Sequence, residues 1–215
     1  MERERSALEQ TRYEKIQRLR GEGIEPYPTR AEVTHTAAEA RTLFEKSEAD
    51  GASQPPAATL AGRLRAIRPM GKITFAHIED SSGRIQLFFR ANELGQESLD
   101  AFNRDYDLGD YIQAQGTLFR TRTGEVTLQV QAYKMLAKAL SPLPAAKDEM
   151  VNGEVVRHAA LTDPETRFRQ RYADLAVNPE VREIFKLRTA VVRALREFLD
   201  DRSFLEVETP ILQPL

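Results

Sequence analysis

Phe75, His77, Gln86 and Phe88 are the side chains of this sequence best suited to chemistry, and they fall in two neighbouring stretches. The first is Met70-Gly71-Lys72-Ile73-Thr74-Phe75-Ala76-His77-Ile78-Glu79-Asp80; the second is Arg84-Ile85-Gln86-Leu87-Phe88-Phe89-Arg90. Ser81-Ser82-Gly83 joins them as a tight hairpin turn, where Gly tolerates a positive φ. Side chains alternate faces along a strand. Ala76, Ile78, Ile85, Leu87 and Phe89 therefore form one face, a core. Phe75, His77, Gln86, Phe88 and Arg90 form the other. Aromatic rings beside amide and imidazole groups suit the stacking and edge-reading of unpaired bases. From Leu60 to Arg90 there are six bases (Arg63, Arg65, Arg68, Lys72, Arg84, Arg90) against two acids (Glu79, Asp80), a net of +4. From Ala91 to Asp110 six acids stand against Arg104 alone, a net of −5. A basic strand pair beside an acidic connector fits a directed nucleic-acid face.

Composition excludes other chemistries. There is no cysteine, so disulfides and thiolate metal sites are ruled out. The three histidines, His35, His77 and His158, are scattered and imply no metal cluster. At 41% hydrophobic and 30% charged, the 215 residues are those of an ordinary globular chain of one or two domains. No apolar run approaches membrane-spanning length, and Met1 to Arg5 carries no hydrophobic signal core, so no membrane partner and a cytoplasmic location are expected.

The elements that must position the basic, aromatic face are legible in order. Residues 1–20 form an amphipathic helix ended by Gly21 and Gly23, with Pro26 and Pro28 beyond. Its Arg and Lys residues are candidates for backbone phosphates, against a plain solvated face. Ala37 to Lys46 is a second helix, and Glu48 to Ala58 a linker. Five strands follow: Thr59–Pro69, Lys72–Asp80, Arg84–Arg90, Tyr111–Thr121 and Glu125–Leu136. A helix over Asn92–Arg104, with Asn92 as N-cap, lies between the third and fourth. Gly62 marks a bend or bulge. Ile112, Ala114, Gly116 and Leu118 face inward on the fourth strand. Val126, Leu128, Val130 and Ala132 do so on the fifth, leaving Glu125, Thr127 and Gln129 outside. Five strands with a helix between the third and fourth are the layout of an OB-fold barrel. The fold class is thus α+β.

Beyond the barrel, Lys138 to Thr166 is a connector without clear period, and Pro164–Leu175 is helical. Asn178 to Arg202 is a long helix, with Asn178 as N-cap, Pro179 at its first position and Glu180 in its first turn. Val181, Ile184, Val191, Leu195 and Phe198 lie on one broad apolar face that must bury against something. Ser203–Glu208 follows as a strand, ended by Pro210. One helix and one strand make no core of their own. The chain is therefore expected to be a piece of something longer.

Three separated stretches closely resemble bacterial class II lysyl-tRNA synthetases: Pro69-Met70-Gly71-Lys72 through Gln86; Asp107-Leu108-Gly109-Asp110 with Thr121-Arg122-Thr123-Gly124-Glu125; and Arg169-Gln170-Arg171-Tyr172 to Pro210. The likeness runs from about Ala7 onward and includes Gly23-Ile24-Glu25-Pro26-Tyr27-Pro28. It implies four regions: a helical extension and linker (1–58), an anticodon-binding OB-fold (59–137), an interdomain connector (138–177) and the first helix and strand of a class II catalytic domain (178–215). It implies that Phe75 stacks on an anticodon base, that Gln86 and Glu125 read base edges, and that Arg68 contacts the anticodon. Arg63, Arg65, Lys72, His77 and Phe88 are additional candidate RNA contacts. Val181 to Pro210 resembles motif 1 of the family, the dimer interface, with Val191, Leu195, Phe198 and Pro210 as contacts of a homodimer. Two departures stand out. Ser203 replaces the usual Gly at the helix end, which predicts strain there, and 145–161 is unlike the usual connector.

The resemblance further implies a lysine–tRNA ligase, with lysine tRNA as partner. ATP and Mg2+ belong to the motifs 2 and 3 that this sequence lacks. No catalytic residue and no metal ligand is therefore expected here, and the piece alone is expected to be inactive. Two other readings remain open at this point. One is a stand-alone OB-fold protein that binds tRNA or single strands without ligase activity; the other is a fragment of an aspartyl or asparaginyl enzyme.

Overall fold

The computed structural model describes residues 5–144, 147–151, 154–158 and 161–210. It divides into two compact units, Met1–Pro142 and Leu143–Leu215.

The first unit is a closed five-stranded barrel in the order β1-β2-β3-β5-β4, with helices packed on it. Its strands are β1 (Ala57–Met70), β2 (Ile73–Glu79), β3 (Arg84–Arg90), β4 (Tyr111–Arg120) and β5 (Val126–Ala137). β3 and β5 pair in parallel, and the other pairs are antiparallel. The predicted inner residues Ala76, Ile78, Ile85, Leu87, Phe89, Ile112, Ala114, Leu118, Leu128 and Val130 are all buried, as are Leu60 and Leu64 on β1. Closure brings strands so near one another that a side chain at Gly116 is forbidden: its Cβ would lie 1.8 Å from the Gln129 carbonyl oxygen. Gly62 is also tight, with a Cβ there 3.0 Å from the Glu79 carbonyl oxygen. The bulge on β1 falls a little further on, at Arg65, between the Leu64 and Ala66 pairings.

A second bulge corrects the expected phase of β5. Opposite Gln115 and Gly116 the register jumps from Ala132 to Val130, leaving Gln131 as the extra residue. Alternation therefore inverts beyond it. Ala132 is exposed and Met135 is buried, where strict alternation predicted Ala132 inside. Thr127 is likewise buried rather than outside, although it stays on the outer face.

α1 (Ala7–Gly21) begins in a capping box made by Ser6 and Glu9, which satisfies two helix-end N–H groups reciprocally. Three of its four cations, candidates for phosphate contact, are engaged within the first unit. Arg12 donates to the carbonyls of Ala139 and Leu108, Lys15 pairs with Asp107 at 2.8 Å, and Arg18 donates through Nε to Asp105 at 3.0 Å. α2 (Ala37–Ala49) has its own capping box from Thr36 and Glu39 and buries Ala37, Ala40 and Phe44. The β2–β3 turn reaches back to it: Asp80 Oδ1 accepts from the Ser82 and Gly83 amides, and Oδ2 accepts from the Ala37 amide at 2.7 Å.

The helix after β3 differs from expectation. α3 (Ala91–Leu94) and α4 (Gln96–Asp105) are separated by Gly95 at φ 83°, and α3 starts after Arg90, so Asn92 is not its cap. The positive φ breaks the right-handed helix.

In the second unit β6 (Lys147–Val151) and β7 (Glu154–His158) form an antiparallel hairpin within the atypical connector, whose remaining residues 145–146, 152–153 and 159–160 lie outside the described set. The predicted helix over 164–175 is two short ones, α5 (Pro164–Arg169) and α6 (Arg171–Val177), joined at Gln170. α7 (Pro179–Asp200) follows. Asn178 occupies its N-cap position, but its amide donates back to Asp174 Oδ1 at 2.7 Å instead of capping. Burial opposes ionisation of Asp174; hydrogen bonds from Asn178 and Arg167 outweigh it and hold the carboxyl below its ordinary range. Ser203, in the place expected of Gly, takes φ 63°, the one non-glycine residue with positive φ among those described. The predicted strand over 203–208 does not form: the segment is non-helical and exposed and pairs with no strand among the described residues. Ile211 to Leu215 lie outside the described residues.

Candidate nucleic-acid interface

The outer face of β1, β2, β3 and β5 gathers the predicted residues into registered rows. One row runs Arg68–Phe75–Phe88–Gln129; the next runs Ala66–His77–Gln86–Thr127. Phe75 and Phe88 form a tilted stack, with ring centroids 4.9 Å apart and planes at 34°. Phe88 in turn meets the edge of Phe119 at 5.8 Å. All three rings are half-buried, so each keeps part of its surface toward solvent. Phe119 is a residue that sequence reasoning missed, although its position next to inward-facing Leu118 on β4 places it on this face.

Beside the aromatic row lies a hydrogen-bonded group. Gln86 Nε2 donates to Glu125 Oε2 at 2.8 Å, and His77 Nε2 lies 3.1 Å from Glu125 Oε1. A carboxylate only accepts, so the imidazole presents an Nε2–H to it. Thr127 Oγ1 donates to Gln86 Oε1 at 3.0 Å. Glu125 is carried by the β4–β5 turn. That turn is closed by Thr121, which receives the Gly124 amide on its carbonyl and the Glu125 amide on its hydroxyl. Gly124 supplies the φ of 88° that the turn requires. Gln86 is buried beneath this group, while the Glu125 side chain is 45% exposed.

The basic residues sort into two sets. Arg63 is taken up by Tyr111: it donates to the hydroxyl at 3.0 Å and lies 4.5 Å over the ring. Arg65 and Arg84 both pair with Glu79, at 3.3 Å and 2.7 Å. Arg68, Lys72 and Arg90 are exposed and, among the described residues, have no carboxylate partner. Arg68 sits directly across from Phe75. The face can thus offer aromatic surface, one amide donor, one carboxylate acceptor and a fringe of free cations, which are the elements of single-stranded base recognition.

In the second unit Val191, Leu195 and Phe198 lie on α7 and are 52%, 59% and 53% exposed; Pro210 is exposed as well. Among the described residues no set of three His, Cys, Asp or Glu side chains is placed to hold a metal ion.

Residues 58–136 match the model of the OB-fold nucleic acid binding domain, and residues 163–215 match that of tRNA synthetases class II (D, K and N). Along 99% of its length the chain is 46% identical to a lysine–tRNA ligase of Pelotomaculum thermopropionicum and 47% identical to one of Roseiflexus castenholzii. It is 40% identical over all 215 residues to a lysine–tRNA ligase of Clostridium novyi. It spans 38%, 40% and 39% of those three proteins, about two-fifths of their length. The chain is thus a homologue of the lysine–tRNA ligases, with an OB-fold nucleic-acid-binding domain followed by part of a class II synthetase domain.

Proposed function

We propose that this chain reads the anticodon of lysine tRNA for a lysine–tRNA ligase, an enzyme of protein synthesis that attaches lysine to its tRNA in an ATP-dependent reaction in the cytoplasm. The observation that carries the reading is the half-exposed Phe75–Phe88 stack beside the Gln86–Glu125–His77 group on one barrel face. Stacking holds an unpaired base by its π-face and tolerates any sequence; the polar group reads its edge and gives selectivity. Arg68, Lys72 and Arg90 supply the phosphate contacts. ATP, Mg2+ and lysine are handled by class II motifs outside this sequence. The exposed apolar face of α7, through Val191, Leu195, Phe198 and then Pro210, contributes to a homodimer. The name shared by the relatives favours lysine over the aspartyl and asparaginyl alternatives.

Titration of the chain with anticodon stem-loops of lysine, aspartate and asparagine tRNAs tests the proposal. Tighter binding to the lysine stem-loop by tenfold or more is expected. Equal binding to all three would leave a general single-strand binder in its place.

A further inference from the structure

Thr127 carries a buried hydroxyl that the barrel core does not use. It lies between inward-facing Val126 and Leu128, and its own side chain is fully buried on the outer face. Its Oγ1 donates to Gln86 Oε1 at 3.0 Å and lies 3.2 Å from the Glu125 carbonyl oxygen. The Gln86 amide is therefore gripped at both ends, its oxygen by Thr127 and its nitrogen by Glu125 Oε2 at 2.8 Å. Turning the amide over would set its oxygen against a carboxylate oxygen, so its orientation follows from its partners. One N–H of Gln86 and the remaining lone pairs of Glu125 are left over. Together they present a donor next to an acceptor. A uracil edge answers that pattern, with a carbonyl acceptor next to the N3–H donor. With the ring held in one place by stacking on the Phe75–Phe88 pair, cytosine puts an amino donor where uracil has its O4 acceptor and an N3 acceptor where uracil has N3–H, and so meets the pair in the opposite phase.

We propose that Thr127 is a positioning residue which, by holding Gln86 from below, fixes the donor–acceptor phase that prefers uridine over cytidine. It touches no RNA itself. Without its hydroxyl, Gln86 Oε1 is a buried acceptor with no partner. The amide then swings out toward water and takes its N–H away from Glu125. The inference rests on the anticodon-reading function proposed above.

The test uses the 215-residue chain and lysine stem-loops in which each anticodon uridine is changed singly to cytidine. The wild-type chain is expected to lose about tenfold or more in affinity for one of these changes, as a mispaired edge contact implies. Thr127→Val, near-isosteric but without the donor, is expected to cut that uridine-over-cytidine ratio about tenfold, with a smaller change in affinity for the unchanged stem-loop. Thr127→Ser restores the hydroxyl and should restore the ratio, which a purely structural role would not require. If Thr127→Val unfolds the barrel, Thr127→Ala carries the same comparison. A folded Val or Ala variant with the wild-type ratio overturns the inference while leaving the anticodon reading in place. A wild-type chain indifferent to every uridine change overturns both.

Discussion

Replacing Phe75 by alanine separates recognition from folding. The ring sits on the outer face, half-buried, and stacks on Phe88 at 4.9 Å. Its inward neighbours Thr74 and Ala76 are both fully buried and remain untouched. An aromatic pair contributes about 0.5–1.5 kcal/mol beyond burial. The loss of half a ring's burial adds about 1 kcal/mol more. The barrel should therefore stay folded, with a melting temperature lower by several degrees. Base–aromatic stacking is worth about 1–3 kcal/mol per base, so affinity for the lysine stem-loop should fall about 5- to 150-fold. Phe75→Leu sharpens the comparison, because it keeps apolar volume without the π-face. It should recover most of the stability and little of the affinity. Fluorescence anisotropy gives the affinities and thermal circular dichroism the folding. A folded Phe75→Ala variant with wild-type affinity would refute the platform assignment. A melted barrel would make Phe75 a core residue instead.

Three further outcomes are expected. Alanine at Arg68 or Lys72 should weaken binding to all stem-loops alike and lower the slope of log affinity against log salt by about 0.7 for each phosphate left without its cation, whereas alanine at Arg63 should change that slope little because Tyr111 already holds it. The ion cluster under α1 should make the barrel acid-sensitive. Burial of Asp105 and Asp107 opposes their ionisation, but Arg104 and Arg18 on the first, and Lys138 and Lys15 on the second, outweigh it and hold both carboxyls below the ordinary value of 3.8. Depressed folded pKa values mean that this stability is fully present above about pH 4 and is lost as pH falls through the folded values. Urea titrations from about pH 7 to about pH 2 should show it, and Lys138→Ala, which leaves fully buried Asp110 without its cation, should cost about 3–5 kcal/mol at neutral pH. Finally, the wild-type chain should associate through α7 in sedimentation velocity, and Leu195→Glu with Val191→Glu should leave it monomeric with stem-loop binding unchanged.

Alternation alone carried much of this molecule, because one face of each strand is buried and a single-residue slip would invert every side chain. That is why Ile85, Leu87 and Phe89 separate cleanly from Gln86 and Phe88. The same rule would have found Phe119 beside Leu118. It failed at Ala132, because a bulge follows from barrel closure and leaves no local mark on β5. Thr127 eluded it for another reason: burial on the outer face comes from a neighbour's side chain, the Gln86–Glu125 pair, and not from strand parity. Asn92 and Asn178 were both plausible caps by residue type. One lost the position to a helix starting a residue earlier, and the other had its amide claimed by Asp174. The strand over 203–208 has alternating apolar residues but no partner strand among the described residues, and ladder hydrogen bonds are what make a strand. The strain at Ser203 was expected from the resemblance, since the family's usual Gly suits a left-handed residue at a helix end, and the φ of 63° there agrees with it.

Hydrogen exchange on the chain with and without the lysine stem-loop tests most directly whether the outer barrel face is the RNA site. New protection should appear in β2, in β3 and in the Thr121–Glu125 turn, with α3, α4 and α7 unchanged. Protection confined to the acidic α3–α4 segment or to α7, with β2 and β3 unaffected, would contradict the account.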